Sequence, residues 1–292
     1  MTASMLPRGR ILLAAALLAA AAVVPYIPFL PLPPISDDYM QIGLAREFVS
    51  MEGLPQLAAH PLYRTRATSL VFTRLVEAAS GEEIATSIFV HRLAGVLLHL
   101  ANGLLIFAAG VWPRLGYRRS FAAALAFLLL ADHQEAVVWV AAVHELLVFA
   151  FSILCLIAWA QWLRVRGTGW LLLTALAFVL ALYSKESAAV LPALMALIWT
   201  LEADRRYANL LPIALALLGA LAYTYFVFGA SREHQHLNDG TFSLAAPFLQ
   251  TLLRTTWRLF WPWGVVAAAL LYRQRHARPL LAALACSALA LL

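Results

Sequence analysis

Charge is what this chain has least of. Asp, Glu, Lys and Arg make up 12% of its 292 residues, where a soluble domain carries about 25%. No stretch is polar enough for a separate soluble domain, so residues 1–292 read as one integral-membrane unit. Cysteine is nearly absent. Cys155 and Cys286 both lie in apolar runs, which excludes a disulfide framework. Internal repeats and low-complexity linkers are missing too. The net charge of +6 comes from arginines in short loops between apolar runs, a topology signal that argues against a nucleic-acid partner.

What is there is apolar sequence along nearly the whole length. About nine spans can be laid out on a bilayer core of roughly 30 Å. They fall near 11–31, 87–111, 119–135, 137–163, 169–183, 187–201, 208–229, 257–272 and 278–292. The expected fold is therefore all-α, a polytopic transmembrane helical bundle. Arg8 and Arg10 followed by Ile11 to Val24 have the look of a signal peptide. The apolar stretch runs on past Pro25 and Pro28 to Leu32, which favours an uncleaved first span. Arg8, Arg10, Arg114, Arg118, Arg119, Arg164, Arg166, Arg205, Arg206, Arg273, Arg275 and Arg278 alternate with the spans so as to share one side. The short loops of the other side hold only Lys185 and Arg232. The arginine-rich side is expected to be cytoplasmic, with the N-terminus on it, in a plasma (inner) membrane.

Residues 36–86 form the first outer loop. Within it, 38–51 and 62–79 read as two helices separated by Gly53-Leu54-Pro55. In the second, Leu62, Leu70, Val71, Leu75 and Val76 alternate with Arg64, Thr68 and Arg74, the pattern of a helix lying in the membrane interface. A similar stretch, 243–256, precedes Trp257, Trp261 and Trp263, which suit interface anchors.

Ionisable residues in or beside spans are costly and commonly face a cavity. Asp37 and Asp38 stand side by side at the mouth of the first span, where mutual repulsion and lost hydration favour a partly satisfied base. An N-cap or a solvated loop start would explain them equally simply. The second span carries His91, Arg92, His99 and Asn102, which could face a site or only bond neighbouring helices. Asp132-His133-Gln134-Glu135 joins the third and fourth spans, and His144-Glu145 follows. A zinc protease would need a second His four residues after His144, and Val148 stands there. A divalent metal on Asp132, His133 and Glu135 remains possible, and no other cofactor is implied. In Ser184-Lys185-Glu186, Lys185 either pairs with Glu186 or reaches for an anionic ligand group.

The order of these clusters resembles the GT-C superfamily of polytopic glycosyltransferases, in particular its protein O-mannosyltransferase and tetratricopeptide-type O-mannosyltransferase branch with their bacterial homologues. The resemblance rests on Asp37-Asp38, Tyr63-Arg64, His91-x7-His99-x2-Asn102, His133-x-Glu135-Ala136-Val137-x-Trp139, and Ser184-Lys185-Glu186 with Pro192. It covers about residues 30–200, so 1–200 would be a GT-C-like core and 201–292 additional spans; most relatives are longer, which leaves a truncated or degenerate copy open. Many relatives have a Pro after the His of the second outer turn and an Arg-Asp or Arg-Lys-Asp where this chain has His144-Glu145.

The resemblance implies transfer of a sugar from a polyprenyl-phosphate donor to an acceptor hydroxyl on the outer face. The acceptor would be a protein, lipid or glycan, and a partner membrane subunit is conceivable. Asp37 or Asp38 would be the catalytic base. Lys185, Arg64, Arg92 and His91 would hold the donor phosphate. His133, Glu135, Glu186, His99 and Asn102 would orient substrate. The rival classes are a transporter, which should show related halves and broken helices at mid-membrane, and a non-catalytic membrane scaffold.

Overall fold

A computed structural model describes residues 7–35, 37–47, 61–81, 83–113, 115–202 and 207–230, with isolated positions from 247 to 257. The side chains of 61–64, 132 and 227–230 lie outside that description. Every regular element among the described residues is helical. They are α1 (Arg8–Val23), α2 (Asp38–Glu47), α3 (Pro61–Ser80), α4 (Ile84–Ala108), α5 (Tyr117–Leu129), α6 (Gln134–Val138), α7 (Val143–Val165), α8 (Thr168–Leu182), α9 (Leu191–Leu201) and α10 (Leu210–Ala230).

Four helical stretches are long and apolar enough to cross a membrane: Arg8–Phe29, Ile84–Val111, Val140–Val165 and Tyr207–Phe226. They correspond to four of the expected spans. Three others are shorter helices. The stretch expected at 119–135 stops at Leu129, because Leu130 turns extended and Ala131–His133 form a 3-10 turn. The 15 residues of α8 rise only about 22 Å, less than the roughly 30 Å hydrocarbon core. Glu186–Leu201 is likewise apolar and short. The spans expected at 257–272 and 278–292, the 243–256 stretch and the Gly53-Leu54-Pro55 break lie outside the described residues.

The chain divides into two compact units, Met1–Ala188 and Ala189–Leu292. In the first, α4 is the hub. Its lower half packs with α1 and α5 through Leu18, Ala22, Phe107, Ala124 and Leu128. A second cluster, Tyr26, Val96, Val137 and Leu146, ties the end of the first span to α4, α6 and α7. Gly95 is required there: a Cβ on it would lie 2.7 Å from the Val137 carbonyl oxygen. The α7–α8 pair is the most extensive helix contact in this unit. In the second unit, α9 packs on α10.

The two loop helices expected at 38–51 and 62–79 are present as α2 and α3, and they pack on each other. Burial on α3 does not follow polarity. Val71 and Leu75 of α3 are exposed, whereas Ser69, Thr73, Glu77 and Ser80 are buried. The spacing of four, four and three residues puts those polar groups on one stripe. That stripe is buried because its partners on α2 and α4 are polar too.

Candidate functional site

The first span ends in residues that cannot complete a helix. Pro25 and Pro28 lack donors, so Val24–Phe29 tightens to 3-10 geometry and the carbonyls beyond it need partners. Arg92 supplies them. Its guanidinium, 2% exposed, donates to the carbonyls of Phe29 (3.4 Å), Leu32 and Pro33 (2.7 Å), and Nε donates to Val138 (3.2 Å). Arg92, expected on the donor phosphate, is instead the clamp that fixes the approach to Asp38. The Asp38 carboxylate also acts on it electrostatically.

Asp38 is fully buried in the first turn of α2. Its Oδ2 accepts from the Ile35 N–H (3.0 Å) and its Oδ1 from the Ala141 N–H (3.2 Å). Asp37 beside it is exposed. The acidic pair is thus split into an anchor and a surface carboxylate.

From Ala141 the geometry leads onward. The Ala141 carbonyl accepts from His144 Nδ1 (3.0 Å), and His144 Nε2 lies 3.5 Å from Glu145 Oε1. Glu145 in turn binds Lys185. Thr68 of α3 reaches the same turn: its N–H donates to the Tyr183 carbonyl (3.2 Å) and its hydroxyl lies 2.6 Å from that of Ser184. Arg66, at a non-helical kink in α3, faces Glu186 at 3.8 Å. The loop after the first span, the start of α7, the end of α8 and the N-terminal half of α3 therefore meet in one polar patch. Lys185 pairs with Glu145, 40 residues away, rather than with its neighbour Glu186.

A second polar cluster lies deeper, and sequence reasoning missed it. Glu77 binds Arg46 Nε (2.5 Å) through Oε1 and the Ser87 hydroxyl (2.6 Å) through Oε2, with His91 Nδ1 3.8 Å away. Burial alone would push the Glu77 carboxyl up. The Ser87 hydroxyl and the Arg46 guanidinium outweigh it and hold the group below the ordinary carboxylate value. His91 belongs to this cluster: its Nδ1 donates to the Ser87 carbonyl (2.8 Å). The signal that could have found it is the Ser69–Thr73–Glu77–Ser80 stripe.

The remaining candidates sit elsewhere. His99, fully buried, packs its ring against Tyr26, Phe127 and His133 with centroids 5.7, 5.1 and 5.7 Å away. His133 donates through Nδ1 to the Phe127 carbonyl (2.9 Å), and Glu135 is exposed. Asn102 donates to the Leu146 carbonyl (3.0 Å), which joins α4 to α7. These are packing contacts between helices. Among the described residues no three His, Cys, Asp or Glu groups converge as a metal requires, and the Asp132 side chain lies outside them. The Arg64 side chain also lies outside them; its backbone is in α3, before the kink.

No family model, curated protein or solved structure matches this chain.

Proposed function

We propose that the chain is a membrane glycosyltransferase of the GT-C type. It moves a sugar from a polyprenyl-phosphate donor to an acceptor hydroxyl at the outer face of an inner membrane. The observation that supports this best is the run of contacts that joins the buried Asp38, chain neighbour of the exposed Asp37, through Ala141 to His144, Glu145 and Lys185, with the Arg66–Glu186 pair next to Lys185 in sequence. An acid–base group and two cations at the mouth of apolar helices suit a substrate whose tail stays in lipid and whose phosphosugar emerges from it.

In this reading Asp37 takes the acceptor proton, and the acceptor oxygen forms a bond to the anomeric carbon. The bond from that carbon to the lipid phosphate breaks, and the electron pair leaves with the phosphate. Lys185 and Arg66 stabilise the departing charge, exchanging Glu145 and Glu186 for phosphate oxygens. Asp38 and Arg92 position the loop that carries Asp37. Purified protein in nanodiscs should transfer radiolabelled sugar from polyprenyl-phosphate donors and leave nucleotide sugars untouched. Failure with every polyprenyl donor, in the presence of peptide, lipid and glycan acceptors, rejects the reading.

A further inference from the structure

Between α3, α4 and the α6–α7 turn lies a small cavity of about 10 Å³, room for one oxygen-sized group. His91, Trp139 and Thr73 line it, among otherwise aliphatic and aromatic side chains. Two of its nitrogens are buried and have no partner in the protein, His91 Nε2 and Trp139 Nε1.

Their chemistry is complementary. The Ser87 carbonyl 2.8 Å from His91 Nδ1 can only accept, so Nδ1 carries the proton. In the neutral ring Nε2 is then a bare acceptor, and the indole N–H of Trp139 can only donate. Thr73 donates its hydroxyl proton to the Ser69 carbonyl (2.8 Å) and accepts from Gln41 Nε2 (3.0 Å), which leaves one lone pair. A group that satisfies both nitrogens must donate one hydrogen bond and accept one at the same atom. An anion could not donate to Nε2, and an ammonium could not accept from the indole. A hydroxyl does both.

We propose that this cavity is a hydroxyl-binding site, with the bound O–H donating to His91 Nε2 and accepting from Trp139. Glu77 Oε2 lies 3.8 Å from the other ring nitrogen, Nδ1. The site is separate from the patch at Asp37 and does not depend on the transfer reaction proposed for it. The hydroxyl comes either from water or from an alcohol.

The test is NMR of the full chain in nanodiscs with ¹⁵N-labelled His and Trp, using methanol as the smallest alcohol probe. Trp139→Phe assigns the indole signal, with Trp139→Tyr as the second assignment variant. The expected result is a cross-peak from the Trp139 indole proton to water, replaced on titration by one to methanol, with a saturable shift of His91 Nε2. A water cross-peak that methanol leaves unchanged supports the site as one for water alone. An indole proton that contacts neither, or a His91 ring protonated only on Nε2, overturns the proposal.

Discussion

A carboxylate that already accepts two backbone N–H groups in a buried position has little left for a substrate, and Asp38 is in that state. Asparagine there can accept through only one atom and sets an amide donor against a backbone donor. Asp38→Asn should therefore cost about 1–3 kcal/mol, read as a lower unfolding temperature in detergent. Asp37→Asn at the exposed neighbour should stay within about 0.5 kcal/mol of the parent protein. Equal losses in both would contradict the division of labour within the pair. Arg92→Ala removes the clamp on the Phe29, Leu32 and Pro33 carbonyls and leaves those acceptors without their donor. A loss of about 1–3 kcal/mol is expected in the same measurement. A loss under 1 kcal/mol would show the clamp to be dispensable. At this scale the sequence marks which ionisable residues lie in or beside apolar helices. It could not show which partner each one finds. Lys185 meets Glu145 because α7 and α8 run together as a hairpin, and that pairing has no local signature.

The Arg46–Glu77 ion pair joins α2 to α3. The Glu77 carboxyl is depressed in the folded protein, so its contribution is fully present above its ordinary value of 4.5 and fades as pH falls through the lower folded value. Hydrogen exchange in α2 should accelerate in that acid window, and Glu77→Gln should exchange fast at every pH. An unchanged α2 in the Gln variant would remove Glu77 from the docking. Gly95→Ala sets a Cβ 2.7 Å from the Val137 oxygen and must part α4 from α6. It should cost about 1–3 kcal/mol in thermal unfolding. Hydrophobic runs made α1, α4, α7 and α10 legible as spans. The ends of the shorter helices were less so. The break at Leu130 and the extended residue Trp139 depend on how the 131–142 turn packs on α4, not on composition.

At the largest scale, residues far apart in sequence are joined by contacts within the first unit: Asp38 at the start of α2 to the Ala141 N–H before α7, Glu145 of α7 to Lys185 after α8, and Arg66 of α3 to Glu186. The resemblance read from the order of these clusters puts Lys185 on the donor phosphate, and its described partner is Glu145. It assigned His99, Asn102 and His133 to substrate, whereas their described contacts are to the helix carbonyls and rings around them. A polar residue inside an apolar helix looks alike in sequence whether it faces a site or a neighbouring backbone. The most direct measurement is sugar transfer from a radiolabelled polyprenyl-phosphate donor by parent protein and by Asp37→Asn, both confirmed to unfold at the same temperature. Turnover by the parent and none by the variant is the predicted result. Equal turnover by both would contradict the account.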